Sequence, residues 1–265
     1  MELLETISFE KPIRSVSRPF PVLCSDFNTY YVKFPIDATD NTDLIYESVC
    51  KTLGDHFNVP IPDIAYIKAS EGSWSALSFP SLQAGLIGFG SKEVSNPNVL
   101  SKETALISSK HDFNRIANPS DLLRIGIFDL FIKNTDRSED NFNLITSYGS
   151  KDSVFAIDHV ATFGGSIAKG RFSPKMESDV GKNILRSEYG RAILKYIDSS
   201  ERRLLLLEFI TQLNNIEDVL NVAFERIPAE WQLTEDLKAR ICDFLTNDER
   251  NYSIKEQFER LFRIL

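Results

Sequence analysis

Short apolar runs separated by turn formers fill the first part of the chain. Phe20 to Ser25 and Thr29 to Phe34 flank Asp26-Phe27-Asn28, which predicts a hairpin. From residue 42 the period changes: Ile45, Val49, Leu53 and Phe57 recur every four positions, so 42–57 reads as a helix that Thr42 and Asp43 can cap and that Pro60 and Pro62 end. Ile64 to Ala69 and Trp74 to Ser81 read as further strands. Ser91 to Asn118 is polar and predicts a loop. Pro119 can then open a helix carrying Leu122, Ile125 and Ile132 on one face. Phe142 to Thr146 and Val154 to Asp158 predict a second hairpin around Tyr148-Gly149-Ser150-Lys151-Asp152. From about residue 179 the pattern is helical, with Arg203 to Leu213 rich in apolar residues and Leu237 to Leu245 amphipathic. The elements predict an α+β architecture of two lobes, a small β-rich N-terminal lobe over residues 1–90 and a larger helical C-terminal lobe over 91–265.

Composition narrows the function classes. At 265 residues, 42% hydrophobic and 26% charged, the chain can bury a core and is not of the disordered type. A formal charge of −8 disfavours a nucleic-acid or anionic-membrane binder, because both attract basic surfaces. Cys24, Cys50 and Cys242 form no CxxC pair and are odd in number, which suggests neither a disulfide framework nor a zinc site and fits a cytoplasmic protein. His56, His111 and His159 are too scattered for a local metal-ligand set. No signal-like N-terminus and no run approaching eighteen apolar residues is visible, so membrane partners are not expected.

Chemistry concentrates between Asp129 and His159. Asp136 and Asn141 have the D-x-x-x-x-N spacing of a kinase catalytic loop, and Asp158 ends an apolar strand behind them. Antiparallel pairing of the hairpin brings Asn141 beside Asp158, giving two hard oxygen ligands suited to a magnesium ion that also holds the phosphates of ATP. Asp136 would emerge beside that ion, as the carboxylate that orients and deprotonates an attacking hydroxyl. Asp129 shares the apolar stripe of its helix, so it should be buried and need donors. Arg137 and the backbone N–H groups of the next loop are nearest, which makes Asp129 a support for the loop.

The run N-x-D-R-x-x-x-N, Asn134 to Asn141, followed by Ile157-Asp158-His159, resembles the HipA-type serine/threonine kinases, particularly their compact HipA-like branch. That resemblance implies a protein-kinase-like fold, ATP and Mg2+ as cofactors, a protein substrate, and the setting of bacterial toxin–antitoxin systems, with an antitoxin or other small protein as partner. Carried over by position, it makes Asp136 the catalytic base and Asn141 and Asp158 the magnesium ligands. Ser138 stands where the family often has histidine.

Lys33, in Thr29-Tyr-Tyr-Val-Lys-Phe, resembles the kinase V-A-I-K lysine that contacts the ATP phosphates. Glu47 on the following helix is the candidate partner of that lysine, though its place, about 120° from the apolar stripe, suits an exposed glutamate equally well. Ser15 and Ser17, in Arg14-Ser-Val-Ser-Arg18-Pro19, can offer hydroxyls to phosphate or simply form a polar entry to the hairpin. Gly88-Phe-Gly-Ser91 resembles a segment of the same kinases but reads most simply as a turn. An ATP-dependent protein serine/threonine kinase is the leading expectation. A lipid kinase follows, because type II phosphatidylinositol kinases have a similar pattern, and a nucleotide-binding pseudokinase serving as an interaction module is third.

Overall fold

The structure, a computed structural model, describes residues 2–13, 19–35, 40–74, 82–104, 107–164, 170–176 and 180–263. Five strands close into a barrel in the order β1-β2-β3-β5-β4: β1 (Leu3–Phe9), β2 (Phe20–Cys24), β3 (Thr29–Lys33), β4 (Ile64–Lys68) and β5 (Ile87–Lys92). The closing β1–β4 pair is parallel and the others are antiparallel. Alternation sends Val22, Cys24, Tyr30, Val32, Ala65 and Ile67 into the barrel. Lys33 leaves on the other face of β3 with Tyr31, as period two requires. The expected β2–β3 hairpin forms, its turn fixed by the Asp26 carboxylate, which accepts from the Asn28 backbone and side chain and from the Tyr30 hydroxyl.

Between β3 and β4 lies α1 (Thr42–His56), buried without a break from Leu44 to Gly54. Asn41, not Thr42 or Asp43, occupies the N-cap position, and the Asp40 carboxylate accepts from the Thr42 N–H at 3.1 Å. The helix stops at Asn58, whose φ of +54° breaks the spiral before Pro60 is reached.

Gly88 to Ser91 is no turn: it lies in β5, paired to both β3 and β4. Its glycines answer to crowding. A Cβ on Gly88 would stand 2.8 Å from the Lys33 carbonyl oxygen, and one on Gly90 would stand 2.6 Å from the Ile67 side chain. β1 had no counterpart among the expected strands, and the strand expected from Trp74 to Ser81 falls largely outside the described residues.

The expected loop from 91 to 118 contains β6 (Pro97–Val99) and α2 (Lys110–Arg115), the latter opened by a capping box between Ser109 and Asp112. α3 (Ser120–Phe131) follows Pro119 as expected and is buried on nearly all sides. β7 (Leu144–Ser147) and β8 (Ser153–Ala156) form the expected hairpin, which β6 extends to a three-stranded sheet. Helices α4 (Glu188–Leu194), α5 (Ser199–Gln212), α6 (Ile216–Glu225), α7 (Glu235–Thr246) and α8 (Asp248–Arg263) complete the chain. One apolar core joins α1, α3, the sheet and these helices. It reaches the outside of the barrel, where buried Trp231 packs edge-on against Tyr66 and donates its indole N–H to the Ile87 carbonyl at 2.8 Å. Among the described residues no helix is long and apolar enough to cross a membrane.

Candidate active site

The site assembles where α1, β3 and the open end of the β7–β8 hairpin meet. Lys33 Nζ donates to Glu47 Oε1 at 2.6 Å and to Asp158 Oδ1 at 2.9 Å. Glu47 is 3% exposed, so the exposed-glutamate alternative does not apply: α1 is enclosed and has no solvent face at that position. The electrostatics are those of a buried pair. Burial opposes the charge on Lys33, but the carboxylates of Glu47 and Asp158 outweigh it and hold the ammonium above its ordinary range. Burial likewise opposes ionisation of Glu47, yet Lys33 and His159 hold that carboxyl far below the usual range. Both groups are therefore charged at neutral pH.

The second group is the loop after α3. Buried Asp129 accepts from Arg137 Nε at 2.8 Å and from the Asn134 side-chain amide at 3.1 Å. Arg137 was expected as a donor; the other is the Asn134 side chain, where backbone N–H groups were expected. Burial pushes the Asp129 carboxyl up against the pull of Arg137. Arg137 is 1% exposed; its Nη1 donates to the carbonyls of Phe142, Asn143 and Ile157, and its Nη2 to His159 Nε2. It thus fastens the loop to both sides of the hairpin's open end. Asn134 Oδ1 accepts from the Asp136 backbone N–H at 3.0 Å, which sets the exposed Asp136 at the rim. Asp136 Oδ2 then accepts from the side-chain amides of Asn141 at 2.8 Å and Asn143 at 3.0 Å. Neither bond uses Oδ1.

Beyond the ladder, the Ile157 N–H donates to the Asn143 carbonyl at 3.0 Å, which continues the hairpin alignment and puts Asn141 and Asp158 at one end of it. A φ of +57° at Asp158 turns the chain there. The donor chemistry suits magnesium. Asn141 gives its amide N–H to Asp136 and keeps a carbonyl oxygen; Asp158 gives Oδ1 to Lys33 and keeps Oδ2. Among the described residues no three His, Cys, Asp or Glu side chains cluster as a metal site, so the remaining ligands of such an ion would be phosphate or water oxygens.

Lys33, Glu47 and Asp158 are therefore in direct contact, and Asp136 and Asn141 form a second set that Arg137 joins to the first. Ser15 and Ser17 lie outside the described residues. Sequence reasoning missed Asn143 and His159. Asn143 is legible in the N-x-N run Asn141-Phe-Asn143 and His159 in its place directly after Asp158, although the three histidines are too scattered in sequence to read as a metal-ligand set.

A barrel carrying a buried lysine–glutamate pair above a loop of this kind defines a kinase-type phosphotransferase. The chain belongs to the HipA-like kinase family, whose profile matches residues 8–260. In fold it is similar to the crystal structure of the Helicobacter pylori proinflammatory kinase CtkA, over 99% of this chain and 99% of that one, with a TM-score of 0.54 at 13% sequence identity. No curated protein matches the sequence.

Proposed function

We propose that this protein is an ATP- and magnesium-dependent protein serine/threonine kinase of the HipA-like type. The observation that carries the reading is the double contact of Lys33 with Glu47 and Asp158, because it fixes a cation beside the carboxylate proposed as a metal ligand. We read the barrel with α1 as a small nucleotide-binding lobe and the rest as a larger catalytic lobe. We keep the division near residue 90, at the end of the barrel, whose last strand runs to Lys92.

Asn141 and Asp158 would hold magnesium, which when bound supplies positive charge to the phosphates during transfer. Lys33 presents a second, fixed positive charge whose position Glu47 sets. Asp136 orients a substrate hydroxyl and takes its proton on the carboxylate, with Oδ2 held by the two asparagine amides and Oδ1 outside both bonds. A protein substrate, an antitoxin-like partner and a cytoplasmic setting rest on the family resemblance. The acidic balance of the chain supports a protein over a lipid substrate.

Labelled ATP offered with a generic protein and, separately, with phosphoinositide vesicles tests the substrate class. Label on protein supports the reading, label on lipid supports the lipid-kinase alternative, and nucleotide binding without transfer to either supports a pseudokinase. Asp136→Asn should bind Mg-ATP as the wild type does and lose transfer by roughly 10²- to 10⁴-fold, as measured by initial rates. Undiminished transfer would remove Asp136 from the base role.

A further inference from the structure

His159 occupies the junction between the two groups. Its backbone N–H donates to Glu47 Oε2 at 3.1 Å, and its ring Nδ1 lies 3.7 Å from the same oxygen. The other ring nitrogen, Nε2, is 3.2 Å from Arg137 Nη2. A guanidinium donates and never accepts, so Nε2 must supply the lone pair, and the ring proton belongs on Nδ1, facing the Glu47 carboxylate. A neutral ring in this tautomer matches both neighbours, whereas a proton on Nε2 would oppose an Arg137 N–H. The residue is 2% exposed, which leaves little room for water to substitute, and the Phe128 ring packs edge-on against it with centroids 6.1 Å apart. The turn at Asp158 completes the arrangement: Asp158 reaches Lys33 while the next residue reaches the glutamate that Lys33 also contacts.

We propose that His159 is a positioning residue for phosphoryl transfer, linking Glu47 to Arg137 so that Lys33 on β3 and the Asp136 loop keep one mutual geometry. The proposal rests on the phosphotransferase reading above. Its contacts run in an unbroken series from Lys33 through Glu47, His159 and Arg137 to Asp129, under the residue pair Asn134–Asp136. Displacement of α1 would break the backbone and ring contacts of His159 together. The competing explanation is that the imidazole merely fills the core beside Phe128.

Two measurements separate these. Long-range 1H–15N spectroscopy of the wild-type chain at a pH where the ring is neutral, with the His159 signals identified by their loss in His159→Gln, should show the ring proton on Nδ1. A neutral ring with its proton on Nε2 overturns the proposal. Mg-ATP affinity by calorimetry and transfer to a generic protein are then compared for wild type, His159→Phe, His159→Gln, Glu47→Gln and the His159→Phe/Glu47→Gln double variant. Phenylalanine keeps the ring volume but accepts nothing from Arg137, so transfer efficiency should fall by about 10-fold or more. Glutamine restores an acceptor near the Nε2 position and should stay within about 3-fold of wild type. The double variant should be little worse than Glu47→Gln alone, because both changes interrupt one link.

Wild-type behaviour of His159→Phe, equal losses in Phe and Gln variants, or additive losses in the double variant overturns the proposal. Should His159→Phe fail to fold, the tautomer and the His159→Gln rates decide: a loss of 10-fold or more in His159→Gln overturns the proposal. Failure of the phosphotransferase reading looks different: the wild type itself then transfers no phosphate, whether or not it binds Mg-ATP and whatever the tautomer.

Discussion

Lys33 has two carboxylate partners and little contact with water, so its removal does more than empty a phosphate site. Read as an ordinary strand lysine it would contribute little to stability. Here Lys33→Ala strands the Glu47 carboxylate in the core with His159 alone beside it. Breaking a buried pair from one side costs several kcal/mol, and a loss of about 3 kcal/mol in chemical denaturation is expected alongside weaker ATP binding. Lys33→Ala/Glu47→Gln should recover part of the stability and none of the ATP affinity. A Lys33→Ala chain as stable as wild type would mean that Glu47 finds water or another donor. Arg137 follows the same logic at the other end of the series. It is buried with Asp129, to which Nε donates, while Nη1 shares its two N–H groups among three carbonyls and Nη2 donates to a ring nitrogen.

Two elements place these residues, and both are shaped by enclosure. α1 shows a four-residue apolar period in sequence, yet polar positions such as Glu47, Ser48, Lys51 and Thr52 are also buried. They are satisfied locally or across the site: Ser48 bonds the Tyr66 hydroxyl at 2.7 Å and Lys51 bonds Asp55 at 2.7 Å. β5 is the other case, since the strand passes so close to β3 that only glycine fits opposite the Lys33 carbonyl. Gly88→Ala should cost about 1–3 kcal/mol by thermal or urea denaturation and weaken ATP binding by shifting Lys33, because a backbone carbonyl cannot swing aside. Gly149→Ala, whose added Cβ would meet only the Lys151 carbonyl at 3.4 Å in the hairpin turn, serves as the control and should change stability little.

For the whole molecule, the buried pair predicts a pH window. The Glu47 carboxyl is held below its unfolded value, so its contribution is present above about pH 4.5 and fades as pH falls from there toward the depressed folded value. Lys33 is held above its unfolded value, so its contribution is complete below about pH 10.5 and is lost as pH rises through the raised folded value. The stability difference between wild type and Glu47→Gln, measured by urea midpoints, should therefore be level near neutrality and shrink below about pH 4.5. A difference that grows on acidification would contradict the charged state assigned to Glu47. Cohesion at this scale also depends on contacts far from the site, among them the Trp231 indole on Ile87 and the Arg250 guanidinium stacked 3.7 Å from the Phe244 ring while donating to carbonyls at the end of α3.

Sequence alone determined the parts whose geometry is local. Asp136, Asn141 and Asp158 could be read from spacing, because a loop and one short hairpin fix their relation within some twenty residues, and the hairpin at Asp26–Asn28 and helix α1 followed from period and turn chemistry. Gly88–Ser91 misled for a physical reason: glycine marks turns and close approaches alike, and only the strands on either side reveal which. Glu47 stayed ambiguous because helical period reports one apolar stripe and cannot tell that a second surface will enclose the opposite face. His159 was invisible as a partner for the same reason. Its two contacts, Glu47 at a sequence separation of 112 and Arg137 at 22, exist only once α1 has packed against the hairpin and α3. Tertiary packing also decided which charges lose water, and so which of them must hold one another.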